Sequence, residues 1–127
     1  METAVKTQAT IMLVDDSKVS RMMSGAMVKK YRIQVNIIEA ADGNAALALL
    51  EQHKPDIGII DMNMPGMTGL DLIAILKQRL PNFKAALLTA NGQEHVQKMA
   101  SDLGVYFFRK PITEPLIVEI LKTLLPE

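Results

Sequence analysis

Ile57-Gly58-Ile59-Ile60-Asp61-Met62-Asn63-Met64-Pro65-Gly66-Met67-Thr68-Gly69 is the stretch whose reading decides the fold. A short apolar run ends on a carboxylate, Asp61, and a loop rich in Pro and Gly leads into an amphipathic segment, Leu70 to Leu80. Such a run, too short for a helix and bounded by turn residues, predicts a buried strand. The acid then sits at the strand's end, where it either caps the next helix or does chemistry.

The same unit recurs on both sides. Ile11 to Val14 is a second apolar run, closed by Asp15-Asp16-Ser17, with Ser17 or Asp16 placed to cap a helix. In that helix Val19, Met22, Met23, Ala26 and Met27 repeat at helical spacing and predict one buried stripe, with the methionines as core filler. Val35 to Ala40 carries a polar Asn36 and partial alternation, which suits an edge strand. A short helix, Ala45 to Gln52, is ended by Lys54-Pro55-Asp56. Ala85 to Leu88 is another apolar run, ending in Thr89, and Asn91-Gly92-Gln93 opens a helix whose apolar positions are Val96, Met99, Ala100 and Leu103, with Gly104 as its C-terminal cap. Val105 to Phe108 reads as the last strand and Arg109-Lys110-Pro111 closes it. Thr113 caps a final helix with Pro115 in its first turn and Ile117, Ile120, Leu121 and Leu124 on its buried face.

Strand followed by helix, about five times over, predicts an α/β fold: an open parallel sheet with helices on both faces. Ligands of such sheets bind outside the carboxyl ends of the strands, near the point where strand order reverses. Asp15, Asp16, Asp61, Thr89 and Lys110 stand just past the strand runs and should share one rim.

Composition removes most other classes. The chain has 127 residues, 49% hydrophobic and 22% charged, with a net charge of zero. One globular domain follows, with no global attraction to nucleic acid or anionic lipid. Cysteine is absent, so disulfides, thiol catalysis and thiolate metal sites are excluded. No apolar run is long enough to span a membrane, and Met1 to Ala9 reads as a polar tail without a signal-peptide core. A cytoplasmic domain spanning residues 10–127 is the expectation. His53 and His95 read as surface residues on helices, and Glu94, Lys98 and Asp102 as a solvated face.

Three carboxylates in one small site repel one another unless a cation sits among them. All-oxygen ligands with room for water suit Mg²⁺, or Mn²⁺ in its place, rather than zinc. A metal, a lysine and a hydroxyl together form a clamp for a phosphoryl group. Asp61 is the best-placed nucleophile, because a carboxylate can attack a phosphoryl donor to form an acyl phosphate.

Asp15-Asp16, Asp61 followed by Met64-Pro65 and Gly69, Thr89-Ala90 and Lys110-Pro111 together resemble the signature of response-regulator receiver domains, from about Ile11 to Leu125. The resemblance implies a chemotaxis-type, single-domain switch of two-component signalling with the flavodoxin-like strand order 2-1-3-4-5. Asp61 is then the phosphoacceptor. Asp16 and Asp61 bind Mg²⁺ through carboxylates, Asn63 through its main-chain carbonyl and Asp15 through metal-bound water. Thr89 and Lys110 hold phosphoryl oxygens, and the Lys110–Pro111 peptide is cis. Phe107, where many relatives carry tyrosine, is implied as an aromatic switch that moves inward as Thr89 shifts. Lacking a hydroxyl, it depends on packing alone. The implied partners are a histidine kinase or histidine phosphotransfer protein and a downstream protein at residues 93–125, with no nucleic acid bound directly. Its only implied catalysis is its own phosphorylation and slow autodephosphorylation.

Three other readings fit less well. A flavodoxin-type FMN protein needs a phosphate-binding first loop, which Asp15 and Asp16 would repel. A phosphatase with an aspartate nucleophile needs an acid two residues on, where Asn63 stands. A scaffold needs no acid cluster. Within the receiver reading, a relay intermediate and a fragment of a larger regulator stay open, as do the roles of Asn63 and Asn91 in setting the lifetime of the phosphorylated state.

Overall fold

The computed structural model describes residues 9–32, 34–90 and 94–125. The expected tail, apart from Ala9, and the Asn91-Gly92-Gln93 helix start lie outside them. Five strands, β1 (Ala9–Val14), β2 (Val35–Ala40), β3 (Ile57–Asp61), β4 (Lys84–Thr89) and β5 (Tyr106–Arg109), form one parallel sheet in the order β2-β1-β3-β4-β5. The helices α1 (Lys18–Tyr31), α2 (Gly43–Leu49), α3 (Gly69–Arg79), α4 (Glu94–Asp102) and α5 (Glu114–Leu124) connect them. This is the flavodoxin-like α/β architecture.

Alternation along the strands builds two core layers. Ile11 and Leu13 of β1, with Ile57 and Ile59 of β3, pack with Val28 of α1 and with Ile117, Ile120, Leu121 and Leu124 of α5. Met12, Val14 and Ile60 point the other way, toward Leu72, Ile73 and Leu76 of α3 and Val96 and Ala100 of α4. Central strands are therefore apolar on both faces, which is why they read as continuous runs. Burying an Ile or Leu side chain of this kind contributes about 1.5–3 kcal/mol before entropy is counted.

Local signals place the helix ends. Ser17, Asp42, Thr68 and Thr113 each accept a main-chain N–H in the first turn of the helix they cap. Thr68 and Asp71 complete a reciprocal capping box on α3, the helix that follows Asp61. Gly104 ends α4 at φ +72°, a conformation that side-chain-bearing residues resist. The helix expected over Ala45 to Gln52 begins and ends earlier, at Gly43 and Leu49, because Asp42 provides its cap. His53 consequently lies in the loop after α2 rather than on a helix.

The buried stripe expected on α1 is wrong. Val19, Met22 and Met23 are 65%, 60% and 49% exposed, Ala26 is exposed, and Met27 is only partly buried against the core. Ser24 and Val28 face the sheet instead, with Gly25 close to Leu13 and Ile37. Small residues let α1 sit close on the sheet, and its more apolar face is turned to solvent. Met99, expected on the buried face of α4, is likewise 50% exposed.

Candidate functional site

The chain leaves β1 toward β2 on one side and returns to β3 on the other, so strand order reverses between β1 and β3. Asp15 and Asp16 follow the end of β1, and Asp61 is the last residue of β3. Carboxylate oxygens of Asp15, Asp16 and Asp61 lie within 4.8 Å of one another. Asp15 and Asp61 are buried, while Asp16 is open to solvent.

Lys110, just past β5, reaches into this cluster. Its Nζ stands 3.2 Å from Asp61 Oδ1 and 3.6 Å from Asp15 Oδ2. Its main-chain N–H donates to the carbonyl of Thr89 at 2.9 Å, and the Lys110–Pro111 peptide is cis. Thr89 ends β4, one residue beyond Leu88, the partner of Asp61 in the sheet, and is buried. Asn63 is exposed in the loop beyond Asp61, and its main-chain N–H hydrogen-bonds the Asp61 carboxylate.

Burial pushes the Asp61 carboxyl above its ordinary range. Lys110 pulls it back through charge and a hydrogen bond, the neighbouring Asp15 carboxylate adds a smaller upward push, and the Asn63 N–H a downward one. Three carboxylates against one ammonium leave surplus negative charge on the rim.

The loop after Asp61 is held tightly. Gly69 N–H donates to the carbonyl of Met62 at 2.9 Å, and Met62 N–H to that of Leu88 at 2.8 Å. A Cβ at Gly69 would press into the carbonyl oxygen of Asp61 and lie 2.8 Å from Leu87 Cδ1, so only glycine lets α3 start this close to β3. Met62, Met64 and Met67 are partly buried and pack on the core, which makes them loop packing.

The residues expected on one rim are thus Asp15, Asp16, Asp61 and Lys110 in one cluster, with Thr89 and Asn63 adjoining it. Phe107 is not part of the cluster: it pairs with Leu87 in the sheet and packs, partly buried, on the α3 side of the core. Phe108, next along the strand, is partly buried on the opposite side. Two features escaped the sequence reading. Arg21 bonds the main chain of Asp15, and Met23, one of the exposed apolar residues of α1, stands beside Lys110. Met23 and Ser20 line a groove of about 250 Å³ with Lys110, Pro111 and Ile112.

A sequence model of the response regulator receiver domain matches residues 11–122. Chemotaxis protein CheY of Thermotoga maritima is 33% identical over 112 residues, spanning 87% of this chain and 92% of that protein. Sporulation initiation phosphotransferase F of Bacillus subtilis is 29% identical over 117 residues, spanning 91% of this chain and 93% of that protein. Among solved structures, Vibrio cholerae chemotaxis protein CheY4 superposes with a TM-score of 0.84 at 24% identity, over 94% of this chain and 100% of that one. With five parallel strands in the order 2-1-3-4-5 and this breadth of match, the chain belongs to the response regulator receiver domain family, the phosphoryl-accepting switches of two-component signalling.

Proposed function

We propose that Asp61 is the phosphoacceptor and that the receiver domain, residues 10–127, takes its phosphoryl group from a phosphohistidine on a partner protein in the cytoplasm. The observation that carries this reading is the Asp15–Asp16–Asp61 cluster, with Lys110 3.2 Å from Asp61, at the reversal of strand order. An Asp61 carboxylate oxygen attacks phosphorus, the P–N bond to the imidazole breaks, the imidazole leaves and takes up a proton, and an acyl phosphate is formed. Lys110 and the Thr89 hydroxyl hold the phosphoryl oxygens.

The donor set fits Mg²⁺, or Mn²⁺ in its place: only oxygens are offered, one acid is open to solvent, and the charge is in excess by two after Lys110 is counted. Asp16, Asp61 and the main-chain carbonyl of Asn63 would hold the ion, with Asp15 acting through bound water. The ion supplies neutralisation of phosphoryl charge.

The donor is a protein on this reading, because an apolar face adjoins the site. Val19, Met22, Met23 and Ala26 stand exposed on α1, and the groove beside Met23 runs to Lys110 and Ile112. A macromolecule bringing a phosphohistidine to Asp61 must cover this rim, and exposed methionines suit an adaptable contact.

Output leaves through the surface of α4, β5 and α5. Phosphorylation draws Thr89 and Lys110 toward Asp61, Phe107 fills the space Thr89 vacates, and the surface over residues 93–125 changes for a downstream protein. Tyr106, Met99 and Arg109 are exposed there. Similarity to a phosphotransferase supports a second reading, in which the phosphoryl group is passed onward to another histidine.

Label transfer tests the proposal. A kinase autophosphorylated on histidine with radiolabelled ATP should hand its label to this protein in the presence of Mg²⁺, and not after chelation. Equal labelling of the Asp61→Asn variant would remove Asp61 from the role.

A further inference from the structure

Arg21 lies one turn into α1, and its side chain is only 14% exposed. Its guanidinium turns back along the helix toward the acid pair. Nη1 donates to the main-chain carbonyl of Asp15 at 2.6 Å, and Nε donates to Glu39 Oε1 at 3.0 Å. Glu39 sits near the end of β2, opposite Leu13 of β1, so the fork is anchored to the sheet itself. No step of the phosphoryl chemistry above uses Arg21.

Besides the Lys110 ammonium 3.6 Å from its Oδ2, two hydrogen bonds hold Asp15. Its N–H donates to the carbonyl of Ala40 at 3.2 Å, and its Oδ1 accepts the Ser17 N–H at 2.9 Å. The carbonyl that Arg21 grips belongs to the planar peptide joining Asp15 to Asp16. Fixing that plane fixes the direction in which Asp16, the exposed member of the cluster, leaves the main chain. Only Arg21, among these contacts, acts on the peptide between the two acids.

We propose that Arg21 is a positioning residue for the divalent-cation site: held by Glu39, it orients the Asp15–Asp16 peptide so that the Asp16 carboxylate meets those of Asp15 and Asp61. This rests on the reading of the cluster as an Mg²⁺ site. Geometry and charge predict opposite signs. A cation near the acids repels Mg²⁺, so if only its charge mattered, removing it would tighten binding. Loss of an orienting group weakens metal affinity by roughly 10- to 100-fold.

The test is an Mg²⁺ titration of the metal-free, unphosphorylated protein, read from amide chemical shifts of residues 15–17 and 61, for wild type, Arg21→Met, Arg21→Lys and Glu39→Ala. Wild type should saturate, and Arg21→Met should bind about tenfold more weakly. Arg21→Lys should fall between them, since an ammonium lacks the fork that spans both acceptors. Thermal melts without metal separate a general loss of stability, which lowers Tm without moving Kd. If Arg21→Met does not fold, Arg21→Lys and Glu39→Ala carry the test, and both must bind more weakly than wild type. Wild-type or tighter affinity in the folded variants overturns the role of Arg21 and leaves the metal site standing. Failure of the wild type to bind Mg²⁺ removes the metal reading and this inference with it.

Discussion

The ammonium of Lys110 rests 3.2 Å from Asp61 Oδ1, so the buried acid has an internal cation before any phosphoryl group arrives. That contact restrains the carboxyl that burial pushes upward, and on the proposed reading Lys110 turns from Asp61 to a phosphoryl oxygen once the acid is modified.

Lys110→Ala separates these roles. The variant should bind Mg²⁺ within a few-fold of wild type, because the oxygen donors remain. Its amide spectrum after phosphorylation should stay close to the unphosphorylated one over residues 94–125, since the link from the phosphoryl group to the end of β5 is cut. A wild-type spectral change in the variant would count against the clamp.

Asp61 also makes metal-free stability depend on pH. Its carboxyl is raised by burial, with Asp15 adding to the rise and Lys110 opposing it. The folded state therefore holds this proton more tightly than the unfolded chain. The resulting stability is fully present below the ordinary carboxylate range and is lost as pH rises through the raised native value. Asp61→Asn, which cannot ionise, should then melt higher than wild type at pH 7 without metal. A gain of about 1 kcal/mol corresponds to roughly 3–5 °C in a domain of this size. The gap should close in acid, and saturating Mg²⁺ should narrow it by stabilising only the wild type. A variant less stable than wild type throughout that range would contradict the assignment of surplus charge to the rim.

Gly69 is a steric requirement of the site. Gly69→Ala places a methyl group against the Asp61 carbonyl oxygen and Leu87. Denaturant unfolding should show a loss of about 1–3 kcal/mol, the usual range for overpacking. Phosphorylation should slow as well, since the main chain at Asp61 is what must move. Wild-type stability would show that α3 can retreat without cost.

The exposed apolar face of α1 makes a prediction that distinguishes donors. Met22→Glu and Met23→Glu should leave folding and labelling by a small acyl phosphate close to wild type, because both side chains point to solvent. Transfer from a phosphohistidine protein should fall by about tenfold or more, as a charge is carried into an apolar contact. Equal losses with both donors would move the partner face elsewhere.

Much of this was legible in the residues themselves. On α5, Ile117, Ile120, Leu121 and Leu124 all proved buried, because only one face of that helix is apolar and the sheet must cover it. The acids at the strand ends and Lys110 were legible for a similar reason: a parallel sheet brings all its carboxyl ends to one rim. On α1, periodicity identified residues that share a face without saying which face meets the sheet. Ser24 and Gly25 let the helix approach closely, and the methionines were left outside. The contact of Arg21 had no side-chain signature, since its target is the main-chain carbonyl of Asp15 and its anchor, Glu39, is 18 residues away. Such a contact exists only once β1 and β2 are paired.

Intact-mass spectrometry after incubation with Mg²⁺ and a small acyl-phosphate donor, followed by peptide mapping, decides whether Asp61 accepts the phosphoryl group. A single added phosphoryl group is expected, absent when metal is chelated before the reaction, labile as an acyl phosphate should be, and located on Asp61. A stable adduct, an adduct on another residue, or equal labelling of Asp61→Asn would contradict it.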